Sequence, residues 1–180
     1  MANLCSFKMC LRGGKENIQK FFDAMSQKDT LYMGRGADAE LEFEDDDYAF
    51  ITGCCKWSVK AAMVRNAISM RTEPEKWAFS KGVDKNTLEF ITLFEAAARF
   101  KLEIEVYSEE GSNGFMEHIV IDKDKVLKDE TVEFFEYFLD DEDEYLNKKD
   151  AESKIGISIS DEDWEEGYLR VGGFDWDFTI

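Results

Sequence analysis

Carboxylates are the side chains of this sequence with the clearest potential for chemistry. The chain carries 40 acidic and 22 basic residues, giving a formal net charge of −18. Its longest acidic run, residues 140–144, directly follows the aromatic-rich segment FFEYFL. Such a run could bind a metal ion, keep the protein in solution or present negative charge to a partner.

The sequence argues against a calcium site beside this run. Residues 122–133 place Asp122, Asp124 and Glu133 at positions 1, 3 and 12 of an EF-hand-like window. Val126 and Leu127 stand where the loop requires an oxygen ligand and a glycine. A hairpin turn leading into a helix is therefore the better interpretation, and neither a metal nor another cofactor is predicted.

The thiols and the imidazole give no catalytic pattern either. Cys5 and Cys10 are predicted to face opposite sides of one strand, and the adjacent Cys54 and Cys55 also diverge, which disfavours a zinc site. His118 is the only histidine, and no sequence signal puts a nucleophile beside it. We therefore predict reduced thiols in a cytosolic protein and assign no catalytic residue.

Residues 129–147 are predicted to form an amphipathic helix, with acids on one side and aromatics on the other. Neighbours at positions i, i+3 and i+4 of a helix lie about 5–6 Å apart, so their carboxylates could imitate a row of phosphates. A merely solvated acidic face is the alternative. The residues predicted to bind a partner are Asp129, Glu133, Glu136, Asp140, Asp141, Asp143 and Glu144.

The elements that would hold this surface follow from the hydrophobic periodicity. Strands are predicted at residues 3–11, 102–110 and 115–122, a hairpin at 40–56, and helices at 15–29, 57–70, 86–99 and 148–155. A last strand is expected at residues 172–180. This order predicts an α+β fold with helices on one face of a largely antiparallel sheet.

Three segments resemble the YubB-type ferredoxin-like domain family of plasmids and phages: residues 1–13, CCKWSV at 54–59, and residues 90–115. The matching motif residues are Lys56, Trp57, Tyr107, Glu109, Gly111 and Phe115. The resemblance covers about residues 1–121 and implies a ferredoxin-like antiparallel sheet and a mobile-element origin, with no catalytic residue to transfer. The expected organisation is a ferredoxin-like domain over residues 1–125 and an acidic helical extension, residues 126–180, packed on it.

The charge distribution favours a basic partner. Residues 102–180 carry 25 acidic and seven basic groups, and residues 36–55 carry seven acidic groups and no basic one. Direct nucleic-acid binding is disfavoured because it needs a basic face. No apolar run approaches the roughly 20 residues of a membrane span, and no signal peptide is evident. We therefore expect a protein of the host cytoplasm.

The function predicted from the sequence is non-enzymatic. The protein would be a phage or mobile-element product that binds a basic surface of a host protein, inhibiting a host defence nuclease by nucleic-acid charge mimicry in an anti-CRISPR-like or other anti-defence role. One alternative is a divalent-metal-dependent hydrolase that uses clustered Asp and Glu. Another is a structural or assembly protein of the mobile element that self-associates through Trp164, Phe174, Trp176 and Phe178.

Overall fold

The computed structural model describes residues 4–26, 31–34, 38–76, 82, 84–140 and 144–180. The strands are β1 Leu4–Arg12, β2 Leu31–Tyr32, β3 Asp38–Phe43, β4 Tyr48–Lys56, β5 Glu89–Phe90, β6 Glu103–Glu110, β7 Phe115–Asp122, β8 Lys125–Phe138 and β9 Tyr168–Gly172. The helices are α1 Lys15–Met25, α2 Asn66–Thr72, α3 Leu93–Phe100, α4 Lys148–Ile155 and α5 Asp161–Glu166, and a π-helical turn, Ala61–Arg65, precedes α2.

Seven strands form one sheet in the order β3-β4-β1-β6-β7-β8-β9, with every neighbouring pair antiparallel. The short strands β2 and β5 pair in parallel as a separate sheet. The predicted α+β class with a largely antiparallel sheet is therefore confirmed. No helix within the described ranges is long and apolar enough to span a bilayer.

The main core lies between the sheet and helices α1 and α3 together with the π-helical turn. We call this side of the sheet the helix face. Alternate residues of β1 enter this core because successive side chains of a strand point to opposite faces. On β1 these are Cys5, Phe7, Met9 and Leu11. On α1 the residues Ile18, Phe21, Phe22 and Met25 recur at helical spacing and fill the same core.

The opposite side of the sheet, the tail face, is crossed by residues 173–180, which we call the tail. The strand predicted at residues 172–180 is wrong: the last strand is β9, which ends at Gly172, and the tail forms no regular strand. Its half-buried side chains Phe174, Trp176 and Phe178 all meet the ring of Tyr107, with centroids 6.4, 6.2 and 5.1 Å away. Three of the aromatics predicted to mediate self-association therefore make contacts within the chain.

The predicted helix at residues 129–147 is wrong, because residues 125–138 form the long strand β8. Its first part pairs with β7 and its last part, Phe134–Phe138, pairs with β9. The segment TVEFFEYF is rich in β-branched and aromatic residues, which favour strands. A helix would also have set like charges at positions i and i+4, which destabilises it.

The boundary predicted at residues 125 and 126 coincides with the start of β8, whose pairing with β7 joins both parts in one sheet. The predicted helix at 148–155 is confirmed and ends at Gly156, which has a left-handed φ of 85°. A small second core lies under β8 and β9 and contains Leu139, Tyr145, Ala151, Ile159 and Leu169.

The predicted helix at residues 86–99 begins later than expected, at Leu93. Glu89 and Phe90 pair with β2 instead, which delays the start of the helix. Thr92 caps α3 in a capping box with Glu95.

Candidate functional site

The acids predicted to form one row do not share a surface. Strand alternation places Asp129 and Glu133 on the helix face of β8 and Glu136 on the tail face. Asp140 follows in a turn, and Glu144 lies beyond it in the connection to α4. Asp141 and Asp143 lie outside the described residues. The row predicted on a helix is therefore wrong.

Two of these acids have partners within the fold. The Asp129 carboxylate lies 2.5 Å from Nζ of Lys60, whose ammonium also donates to Oγ1 of Thr131 at 2.7 Å. The Glu136 carboxylate accepts a hydrogen bond from the Tyr168 hydroxyl at 2.5 Å. Partial burial and this hydrogen bond raise the pKa of Tyr168 to about 12. These two carboxylates therefore serve the fold.

A different set of acids does form a row. Asp38, Glu40 and Glu42 are exposed and lie on the tail face of β3, one of the two edge strands of the sheet. We call these three residues the acidic edge. Successive members are about 6.8 Å apart, because side chains on one face of an antiparallel strand repeat every two residues. None of the three carboxylates forms an ion pair with a described residue.

The sequence contained the signal for this row. Residues 38–43 alternate strictly between acidic and apolar side chains, and Ala39, Leu41 and Phe43 pack against the main core. Residues 36–55 also contain no basic group. The site was instead predicted on residues 129–144, because a helical wheel over that segment places a longer row of acids on one side.

Gly53 of β4 positions the acidic edge. A Cβ atom at this residue would lie 2.3 Å from the backbone oxygen of Asp38 and 2.8 Å from Cα of Ala39. These contacts are with backbone, so a side chain at residue 53 would displace β3. The absence of a side chain here lets β3 pass close to its neighbour.

The hairpin tip, residues 45–47, extends the acidic surface beyond β3. The Asp45 carboxylate accepts a hydrogen bond from the backbone N–H of Asp47 at 2.9 Å, which lowers the pKa of Asp45. The interaction with Asp45 raises the pKa of Asp47. Backbone N–H groups of Gly13 and Lys15 donate to the carbonyls of Asp47 and Asp46 at 2.9 and 3.1 Å. These bonds fix the tip against the β1–α1 connection.

Among the described residues, three bases lie on the tail face near the acidic edge. Lys56 is on β4, two residues beyond Cys54, the partner of Asp38. The other two, on β1, contact aromatic rings. Nζ of Lys8 lies 4.4 Å from the ring centroid of Phe50, and Cζ of Arg12 lies 5.1 Å from that of Tyr48. The register places the backbone of Lys8 two strands, or about 9.6 Å, from that of Glu40. Within the described residues none of these bases forms an ion pair with the acidic edge, so its three carboxylates stay available to a partner.

The fixed geometry of this face comes partly from charged groups buried under the tail. Oε1 of Glu105 lies 2.8 Å from Nε2 of His118, and Oε2 accepts from the backbone N–H groups of Thr179 and Ile180 at 2.6 and 3.1 Å. Burial raises the Glu105 carboxyl pKa, but these hydrogen bonds outweigh it and lower the pKa overall. Burial lowers the pKa of His118.

The buried pair of Glu105 and His118 is covered by Tyr107 and the tail and is not accessible to a substrate. The His118 ring stacks on Tyr107 at a centroid distance of 4.0 Å, and the Tyr107 hydroxyl donates to the carbonyl of Asp177 at 2.9 Å. Glu105 is fully buried and His118 almost so. The contacts of both side chains hold the tail on the sheet.

The described part of the chain contains no group of three or more His, Cys, Asp and Glu side chains arranged to hold a metal ion. Comparison of the chain with models of protein families, with curated proteins and with solved structures gives no match. Function is therefore inferred from the geometry of the acidic edge and its surroundings.

Proposed function

We propose that this protein binds a basic surface of another protein through the acidic edge and the adjoining hairpin tip. The observation that carries this proposal is the row of three exposed carboxylates, Asp38, Glu40 and Glu42, on one face of the edge strand β3. A solvated edge strand that uses charge to prevent aggregation is the competing explanation. The experiment below separates the two.

The spacing of the row supports nucleic-acid mimicry. Side chains on one face of the strand are about 6.8 Å apart. The phosphates of one DNA strand advance about 3.4 Å along the helix axis and also turn around it, so neighbouring phosphates are farther apart than this rise. The spacing of the carboxylates is therefore of the same order as that of a phosphate row. Because β3 pairs with β4 along its whole length and the hairpin tip is hydrogen-bonded to the β1–α1 connection, little conformational entropy is lost on binding.

The partner we propose is a nucleic-acid-binding groove lined by Lys and Arg, such as that of a host defence nuclease. The net charge of −18 supports this choice, because complementary charge accelerates encounter with a basic groove. On this proposal the protein is a phage or mobile-element inhibitor in the host cytoplasm. The strand order β3-β4-β1-β6, with helices covering one face, supports a ferredoxin-like arrangement.

A matched pair of double variants tests the proposal. Glu40→Lys/Glu42→Lys reverses two charges of the acidic edge. Glu165→Lys/Glu166→Lys makes the same change at two exposed positions of α5. Each variant is assayed for inhibition of DNA cleavage by a panel of purified bacterial defence nucleases. We expect the first to lose at least about tenfold in inhibition and the second to resemble the parent.

Salt titration supplies a second readout. Binding of the parent to the inhibited nuclease should weaken steeply as ionic strength rises, since exposed charges are screened. Circular dichroism and urea unfolding check that both variants are folded. Equal inhibition by both folded variants, or binding insensitive to salt, would show that the acidic edge is not the contact surface.

A further inference from the structure

Cys5 and Cys55 face each other across two neighbouring strands. In the β1–β4 register they are direct partners, and both are buried on the helix face. Directly opposed residues of antiparallel strands have Cα atoms about 4.5–5.5 Å apart. A disulfide requires Cα atoms about 4.4–6.8 Å apart, so this pair is within bridging range.

The two thiols interact with each other. A hydrogen bond between them lowers the pKa of Cys5, with a smaller contribution from Ser108, and the same contact raises the pKa of Cys55. The Cys5 thiol also donates to the carbonyl of Ser6 at 3.6 Å. Of the two, Cys5 is favoured as the attacking group, because the thiolate is the nucleophile in disulfide formation.

The position of the pair near the end of both strands provides access. Leu4, which precedes Cys5, is 63% exposed, and β4 ends at Lys56, directly after Cys55. Trp57 follows with a φ of 72°, a left-handed conformation that is unusual for a bulky residue and ends the pairing. Opening of the last residue pairs would expose both sulfurs without unfolding the sheet.

The other two cysteines have no such partner. Cys10 lies on the tail face of β1 and contacts the carbonyl of Ile180 at 3.7 Å. Cys54 lies on the tail face of β4 and contacts the Ser6 hydroxyl oxygen at 3.9 Å. In the register, Cys10 lies opposite Phe50 and Cys54 opposite Ser6. All four cysteines are free in the structure.

We propose that Cys5 and Cys55 form a site of oxidative modification, closing an intrachain disulfide when the protein meets a peroxide. The Cys5 thiolate attacks one peroxide oxygen, the O–O bond breaks, and hydroxide leaves, giving a sulfenic acid. The Cys55 sulfur then attacks the Cys5 sulfur; the S–O bond breaks, and water leaves with the Cys55 proton. Each sulfur is oxidised by one electron, and the peroxide gains two.

The test uses the full chain, reduced and then treated with hydrogen peroxide under native conditions. Proteolysis without reductant, followed by mass spectrometry, identifies the linked peptides. We expect a Cys5–Cys55 link with the loss of two hydrogens, reversed by dithiothreitol, in the parent and in Cys54→Ser. The Cys55→Ser variant should give no link, and its Cys5 should remain as a sulfenic or higher acid.

An unfolded control separates the geometry from random pairing. In concentrated urea the same treatment should give mixed pairings that include Cys54 and Cys10, because the register is lost. A native-state disulfide involving Cys54 or Cys10 would overturn the proposal. So would a native protein whose Cys5 and Cys55 stay reduced until urea unfolds it. Because the parent and Cys54→Ser give the decisive readout, misfolding of Cys55→Ser would not affect the conclusion.

Discussion

Replacing Glu105 by Gln should release the tail while leaving the sheet intact. The substitution keeps the shape of the side chain but removes the charge that accepts hydrogen bonds from the backbone N–H groups of Thr179 and Ile180. Hydrogen bonds to a charged acceptor contribute about 1.5–3 kcal/mol each, and neutral ones about 0.5–1.5. If each of the two hydrogen bonds is weakened by about 1 kcal/mol, the folded state loses roughly 2 kcal/mol of stabilisation.

The smaller cost of burying a neutral amide offsets part of this loss, so we expect the free energy of unfolding to fall by about 1–2 kcal/mol. Urea unfolding at neutral pH measures this change. Hydrogen exchange at the amides of Thr179 and Ile180 should accelerate in the variant, while exchange in β6 should not. The matched control is Glu103→Gln, on the same face of β6, whose partner Lys123 lies 3.5 Å away at an exposed site. Exposed pairs contribute less than about 1 kcal/mol, so the control should change little.

The sign of the pH dependence provides a further check. The folded-state pKa of Glu105 is below its ordinary value of 4.5, so its stabilisation is present above that pH and disappears as pH falls through the folded pKa. The difference between parent and variant should therefore shrink in acid. The tail does not depend on this carboxylate if two results are found together. The free energies of unfolding of Glu105→Gln and the parent would differ by less than about 0.5 kcal/mol, and the tail amides would be equally protected from exchange.

Three further predictions concern single sites. Burial lowers the pKa of His118 in the folded protein, and Glu105, Lys128 and Glu130 are the neighbouring charges. Below the ordinary His pKa of 6.5 the unfolded chain binds a proton that the folded chain does not, so the parent should lose stability on acidification. The His118→Gln variant should not show this loss, which urea midpoints at about pH 5 and 7 measure. Thr92→Ala should cost about 1 kcal/mol in urea unfolding by removing the cap of α3, whereas Thr92→Ser should cost less. Gly53→Val should displace β3, destabilise the protein and accelerate amide exchange selectively in that strand; unchanged exchange there would show that the close approach is not needed.

The sequence was most informative where one period was unambiguous. β1 alternates over most of its length and β3 throughout, and recognisable glycines bound the elements: Gly13 follows β1 and Gly156 ends α4. The antiparallel class followed from this pattern because short turns connect neighbouring strands. The ferredoxin-like arrangement and the mobile-element origin stay predictions.

The sequence-based prediction was wrong for residues 129–138. A helical wheel separates acids from aromatics there, whereas the strand places both types on both faces. Pairing with β7 and β9 forms the strand, and the β-branched and aromatic content of TVEFFEYF agrees with it. The predicted site is wrong for the same reason. Side chains share a face every 3.6 residues in a helix but every two residues in a strand, so acids that would share one side of a helix lie on both faces of β8.

Composition and periodicity by themselves determined that this chain is strongly acidic, has a substantial core, and builds an antiparallel sheet with helices. Tertiary structure alone decided which carboxylates are free. Asp129 and Glu136 acquired partners from distant segments, Glu105 became buried under the tail, and the acidic edge acquired none among the described residues. It also brought Cys5 and Cys55 together across the sheet. The physical reason is that charge and thiol reactivity depend on neighbours in space, which the order of residues along one strand does not specify.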